Sequence, residues 1–211
     1  MSQPDTKQRI LNAAEYHFAR DGYHATSLRS ITAAAKVNLA AVNYHFGSKE
    51  ALLEAVIEHR LTPLNEARLG QLERLLKQAE QVGEVPCCRD ILRTFIEPTL
   101  RLRQQGSDAE DFIALIGRML AEPRGVAMAI FMRHMEPLLN RLFQALELSL
   151  SGVPRQALFW RVHFTIGSLS HLMRCHERYA IVPEGVSIDI PVVDLVEHFL
   201  DFAAAGMEAQ K

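Results

Sequence analysis

Between Thr26 and Lys49 the apolar positions fall into two short clusters, each bracketed by residues that start or stop helices. Leu28, Ile31 and Ala35 recur at helical spacing; Leu39, Val42 and Phe46 do so again after a break at Lys36-Val37. Ser27 and Asn38 stand just ahead of the two clusters, where a side-chain oxygen can accept from an unpaired backbone N–H. Gly47 closes the second helix as a C-cap residue, and Ser48 caps the helix that follows. Ala33 and Ala34 keep the first helix slim enough for another to approach closely. Helices this short rarely persist alone, because nucleation is costly and packing supplies most of their stability. Two of them side by side, the second with a largely unoccupied face, predict a helix-turn-helix that holds its second helix out as a DNA probe.

Helical periodicity continues to the end of the chain. Ahead of the pair, Ile10, Leu11, Ala13, Ala14 and Phe18 predict one helix, and Lys49-Glu50-Ala51-Leu52-Leu53 opens another. Beyond about residue 60 the pattern predicts helices near 64–82, 87–104, 108–121, 124–150, 154–179 and 190–206. The stripe over 64–82 is read as Leu64, Leu69, Leu72, Leu75 and Leu76. Gly83 to Pro86, Gly106-Ser107-Asp108, Glu122-Pro123, Ser151 to Pro154 and Pro183-Glu184-Gly185 supply the breaks. Pro98 lies inside a helical pattern and is expected to kink or divide it. No alternating strand-like segment, repeat or low-complexity tract interrupts this. The expected fold is all-α: an N-terminal three-helix domain over residues 1–60 and a helical bundle over 61–211.

The last two helices carry apolar residues on more than one face. Phe159, Val162, Ile166 and Met173 form one stripe of the 154–179 helix, and Trp160, Phe164 and Gly167 begin a second. Val192, Leu195, Val196, Phe199 and Phe202 oppose Val193, Leu200 and Ala204 in the last helix. A helix apolar nearly all round is buried on both sides. One side can pack on its own domain and the other on a second subunit, so a homodimer is expected.

Composition narrows the class. Of 211 residues 48% are hydrophobic and only 7% aromatic, which suits a well-cored helical protein. No apolar run approaches the ~20 residues needed to span a bilayer, and Met-Ser-Gln-Pro-Asp-Thr-Lys holds no apolar signal segment. Three cysteines, two adjacent at Cys87-Cys88, make no disulfide framework. A cytoplasmic protein is expected. The net charge of −2 conflicts at first with a DNA partner, but only the docking surface has to be basic. From Arg20 to Lys49 the charges are Arg20, Arg29, Lys36 and Lys49 against Asp21 alone.

The stretch over roughly residues 5–60, with its caps, its turn and Asp21-Gly22-Tyr23-His24-Ala25-Thr26-Ser27 ahead of them, resembles the DNA-binding domain of the TetR family of bacterial transcriptional regulators. Two departures stand out. Lys36 occupies a turn position where the family usually has Gly, so a side chain must tolerate an awkward backbone there. Val42-Asn43 replaces the usual Leu-Tyr ahead of His-Phe, which alters the base-facing chemistry rather than the fold. The resemblance implies a palindromic double-stranded DNA operator, read by helices of about 38–45 from two subunits in successive major grooves, and a dimer built as a four-helix bundle of the last two helices. Asn38 opens the reading helix. Arg29 and Asn43 are expected at base edges, with Asn43 able to pair bidentately with adenine, and Leu39, Ala40 and Ala41 supply apolar contact. Thr26, Ser27, Tyr44, His45 and Lys49 are expected to position phosphates. Lys49 opposes the dipole at a helix N-terminus, which a phosphate partner there would explain.

Other chemistry is thin. His171 and Cys175 share one helix face, but two ligands fall short of a zinc site. Cys87-Cys88 as a redox pair has only Arg89 as a basic activator. No nucleophile elbow, His-Glu-x-x-His helix, phosphate loop or dinucleotide fingerprint is present, so no enzyme, cofactor or metal is expected. In the larger domain Phe95, Phe112, Met119, Phe131, Met135 and Phe159 could line a pocket for a small apolar effector. Arg118, Arg161 or His163 could hold its carboxylate or thioester oxygen. Leu158 to Phe164 and Phe202 to Met207 are similar to segments of pseudomonad TetR-family repressors, one kind of which responds to long-chain fatty acids. The combined expectation is a repressor released by a fatty acid or acyl ester. An architectural or cell-division DNA-binding protein of the same fold, and a helical enzyme with a fused reader, remain the alternatives.

Overall fold

The computed structural model describes residues 5–104, 106–121, 125–174 and 182–209. Among these every regular element is helical. α1 (Thr6–Asp21), α2 (Leu28–Ala35), α3 (Leu39–Phe46) and α4 (Lys49–Val82) are followed by α5 (Cys88–Arg101), which tightens into a 3-10 turn at Leu102–Gln104. α6 (Ser107–Ala121), α7 (Val126–Ser149), α8 (Arg155–Arg174) and α9 (Val192–Glu208) complete the chain.

Contacts divide the chain into two compact units, Met1–Pro63 with Gln105–Met135, and Leu64–Gln104 with Glu136–Lys211. The first unit thus ends its N-terminal part at Pro63 and takes in α6 and the first part of α7 with the reader helices. In the first unit α1 packs against α2, α3 and α6. Ile10, Ala14, Phe18, Ile31, Val42, Leu52, Leu53 and Ile57 are shut off from solvent there. The Glu15 carboxylate, also buried, accepts from the Arg60 guanidinium at 2.8 Å on both oxygens, so its charge is matched inside the core.

In the second unit α5 packs on α9 and α8 meets α9. Ile91, Leu92, Phe95, Ile96 and Leu100 of α5 are buried, as are Val196, Phe199, Leu200 and Ala203 of α9. An ion cluster ties the same two helices. Glu197 accepts from Arg93 at 2.5 Å and from Arg89 at 2.7 Å, and Arg89 also pairs with Asp201. Hydrogen bonds from Arg93 and then Arg89 hold the Glu197 carboxyl down at about 2, below its ordinary 4.5. A depressed carboxyl contributes stability above its unfolded value and loses it as pH falls through the folded one. Glu197→Gln is therefore expected to lower the melting temperature at pH 7, with the gap to the native protein closing between about pH 4.5 and pH 2. A pH-independent gap in thermal melts would assign the loss to packing.

Among the described residues three prolines lie within helices. Pro63, Pro98 and Pro137 interrupt neither α4, α5 nor α7. The helix that opens at Lys49 and the one expected near 64–82 are thus a single 34-residue helix. Pro98 neither divides α5 nor ends it, the helix closing three residues later at Arg101. The buried stripe of α4 also differs from the expected leucine series. It runs Leu61, Asn65, Arg68, Leu72, with Leu64 and Leu69 only half-buried.

Candidate nucleic-acid interface

Three side-chain caps set the reader in place. Ser27 Oγ accepts from the Ser30 N–H at 3.0 Å, Asn38 Oδ1 from Ala41 at 2.9 Å and Ser48 Oγ from Ala51 at 3.0 Å. Each satisfies one of the backbone donors a helix start leaves unpaired. At the turn Lys36 takes the left-handed conformation, φ 53° and ψ 48°, which its side chain has to tolerate where a glycine would not. The Lys36 N–H donates to Ala33 and the Val37 N–H to Thr32 at 3.0 Å, closing the end of α2. Gly47, at φ 78°, donates back to Asn43 and ends α3.

Within α3 Val42 alone is fully buried. Asn38, Leu39, Ala40, Asn43 and Tyr44 are exposed, Leu39 to 45% and Tyr44 to 86%, while Ala41 and His45 are half-buried. A helix pinned by one valine and capped at both ends therefore presents apolar Leu39, Ala40 and Tyr44 beside the amide of Asn43. Arg29 is exposed on α2 and Ser27 at its start. The structure places these expected contact residues on two adjacent helices and the loop before them.

Two residues expected at phosphates are engaged internally. Thr26 is buried, and its hydroxyl lies 2.8 Å from the Gly22 carbonyl and 3.0 Å from that of His17, so its side chain ties the α1–α2 loop to the end of α1. The Lys49 ammonium donates to the His24 carbonyl at 3.4 Å and sits 4.5 Å over the Tyr23 ring, where burial lowers its pKa. Lys49 thus fastens the start of α4 to that loop, and its remaining N–H donors stay available at the rim.

The residues expected to line an effector pocket divide between the units. Phe112, Arg118, Met119, Phe131 and Met135 lie in the first, while Phe95, Phe159, Arg161 and His163 lie in the second. Phe95, Phe112, Met119, Phe131 and Met135 are buried; Phe159 and His163 are exposed. Arg118 of α6 donates to the carbonyls of Ala19 and Arg20 at the end of α1. Arg161 donates to the carbonyls of Met207 and Ala209 at the end of α9. Both guanidiniums neutralise helix C-terminal carbonyls, where a cation is favoured by the dipole. The cavity beside Arg118, lined also by Phe18, Tyr23, Leu115 and Met119, holds about 20 Å³, room for a water molecule.

Cys87 is exposed at the start of α5 and donates to Asp90, whereas burial pushes the Cys88 thiol up to about 12. Of the His171-Cys175 pair, Cys175 lies outside the described residues. Among the described residues no three His, Cys, Asp or Glu side chains gather to hold a metal, and no helix is long and apolar enough to cross a membrane.

Known proteins match this architecture at both ends. The family of bacterial regulatory proteins, tetR family, matches residues 10–56, and the tetracyclin repressor-like C-terminal domain matches residues 93–206. The chain belongs to the TetR family of helix-turn-helix, DNA-binding bacterial regulators. It is 44% identical over 78 residues to the HTH-type transcriptional repressor Rv3405c of Mycobacterium tuberculosis, covering 35% of this chain and 42% of that one. It is 41% identical over 56 residues to the HTH-type transcriptional regulator UidR of Escherichia coli, covering 26% and 28%. These relatives are therefore matched over less than half their length. Among solved structures, the transcriptional regulator FadR from Bacillus subtilis in complex with stearoyl-CoA aligns over 94% of this chain and 98% of its own. Its TM-score is 0.65 at 16% identity, a likeness of fold.

Proposed function

We propose that the protein is a homodimeric repressor that reads a palindromic operator and leaves it when a small apolar effector binds. The observation that carries the DNA reading is α3: capped, with Val42 its one fully buried residue and Leu39, Ala40, Asn43 and Tyr44 exposed. Arg29 and Asn43 read base edges, Leu39, Ala40 and Ala41 pack on the groove, and Ser27, Tyr44, His45 and Lys49 fix phosphates. Thr26 acts by holding the loop that presents them.

Selection from a random DNA pool tests this, with one short palindrome expected. Enrichment of many unrelated sequences would favour an architectural DNA-binding protein instead. Arg29→Ala is expected to cost about 1–3 kcal/mol of specific binding and relax sequence preference. Lys49→Ala is expected to weaken all sequences alike and reduce the salt slope by about 1, with some loss of reader stability from its His24 and Tyr23 contacts. Equal loss on specific and random DNA for Arg29→Ala would move Arg29 to the phosphate group.

An effector with an acyl chain is supported by the buried soft and aromatic side chains within each unit, Phe95 in the second and Phe112, Met119, Phe131 and Met135 in the first, and by the stearoyl-CoA held by a protein of this fold. Release requires that the effector bind the non-DNA-competent state more tightly than the competent one. Titrating fatty acids and acyl-coenzyme A esters against the preformed DNA complex is expected to dissociate it. A complex that survives every such compound would overturn the effector reading and leave the DNA reading standing.

A further inference from the structure

The second unit contains a buried cation that no carboxylate among the described residues neutralises. Arg68 is 3% exposed on the inner stripe of α4, in a place where helical spacing calls for an apolar residue. One terminal nitrogen donates to Asn65 Oδ1 at 2.9 Å and the other to Thr99 Oγ1 at 2.5 Å. The guanidinium lies 4.6 Å from the centre of the Phe95 ring. Its Nε–H is buried with no acceptor among the described residues. Burial pushes its pKa down to about 9, with no acid contributing against that shift.

The nearby carboxylates of α5 are committed elsewhere. Glu97 pairs with Arg101 and Arg93, and Asp90 accepts from Cys87. A guanidinium offers five N–H donors, and among the described residues only two neutral oxygens, Asn65 Oδ1 and Thr99 Oγ1, accept from this one. Folded proteins pair buried charges because an isolated one is costly to desolvate. The first unit follows that rule at Glu15, which Arg60 matches with three hydrogen bonds; Arg68 departs from it.

We infer that Arg68 anchors the carboxylate of an apolar acid, which is the effector class this regulator takes. The inference rests on the effector reading above and names the chemistry of that site. The carboxylate would accept from Nε–H and a terminal N–H in the fork geometry that arginine offers, and supply the missing negative charge. A thioester or alcohol oxygen accepts a hydrogen bond but leaves the guanidinium charge unmatched. The free acid is therefore the preferred ligand over its coenzyme A ester. Arg118 and Arg161 are already spent on backbone carbonyls.

The test uses the full-length protein with decanoate, decanol and decanoyl-coenzyme A, and with benzoate and benzyl alcohol as a short aromatic pair. Binding is read by calorimetry and melting temperature for the native protein, Arg68→Met and Arg68→Lys. At least one acid is expected to bind the native protein more tightly than its alcohol and, for decanoate, than its ester. Arg68→Met is expected to weaken that acid roughly tenfold or more, leave the alcohol unchanged, and melt unliganded at or above the native protein. Arg68→Lys, which keeps the charge but loses the fork, is expected to fall between. If acid and alcohol bind alike to all three proteins, the apolar pocket stands and the anchor is overturned. If neither acid binds, the anchor is overturned whatever neutral compound releases DNA. An unliganded Arg68→Met that melts well below the native protein, with acid affinity unchanged in Arg68→Lys, assigns Arg68 to the core.

Discussion

Gly167→Leu is expected to leave the single chain able to fold and yet to cost operator affinity about 100-fold or more. A side chain added at Gly167 on α8 meets nothing within 4 Å in the protomer, so the change has no clash of its own to relieve. The surface around it is apolar. Phe159, Trp160 and Phe164 are 46%, 50% and 67% exposed on α8, and Val193 and Phe202 are 54% and 64% exposed on α9. Their rings already order one another: Phe159 meets Trp160 edge-on at 5.4 Å, and Trp160 stacks on Phe164 at 6.3 Å. Exposed aromatics gathered in this way mark an interaction face, which the proposed second subunit covers. A leucine where two α8 helices cross would force them apart, because well-packed interfaces yield poorly to added volume.

Loss of the dimer converts two linked half-site contacts into one, and linkage of that kind contributes ~10²–10⁴ in affinity. Light scattering is expected to show a dimer for the native protein at micromolar concentration and a smaller species for Gly167→Leu, with a mobility-shift titration reporting the loss on DNA. Phe164→Glu, which places a charge on the same face, is expected to act in the same direction. A native monomer, or a dimeric Gly167→Leu with full operator affinity, would remove α8 from the interface.

The reader was legible because each of its features is local. Ser27, Asn38 and Ser48 sit next to the helices they cap, and Lys36 lies where the turn demands a positive φ. What escaped the pattern depends on distant partners. Polar Asn65 and Arg68 occupy buried positions of α4, so the apolar periodicity slid to the half-buried leucines at 64 and 69. A polar pair at stripe spacing between Leu61 and Leu72 was the signal available. Pro63 lies inside α4 although proline removes a helix hydrogen bond at a cost of about 3 kcal/mol. The helix continues because Ile57 and Leu61 are buried before it and Leu72 after it, each within its own unit. Arg118 and Arg161 invited a ligand role because no spacing rule tells which helix end lies within their reach. Thr26 and Lys49 escaped in the same way, their partners being carbonyls and a ring of the α1–α2 loop.

Arg118→Met is expected to weaken the operator complex and lower the melting temperature while leaving effector affinity intact. Its guanidinium reaches from α6 to the carbonyls of Ala19 and Arg20, two of the four that the end of α1 leaves without helical partners. Charge-assisted hydrogen bonds of this kind, discounted for partial exposure, contribute about 1–3 kcal/mol together. For a chain of this size that corresponds to roughly 2–10 °C in melting temperature. The end of α1 matters to DNA because the next segment is the presenting loop. Thr26 bonds back to the His17 and Gly22 carbonyls, and Lys49 reaches the His24 carbonyl from α4. Loosening α1 there lets that loop, and with it Ser27 and the start of α2, depart from the geometry the groove requires. The water-sized cavity beside Arg118 leaves no room for an acyl chain in this arrangement. A ligand-holding Arg118 would give the opposite result: an unchanged melting temperature and operator affinity without effector, and a complex that fatty acids no longer release. Thermal melts together with DNA titrations in the presence and absence of decanoate separate the two.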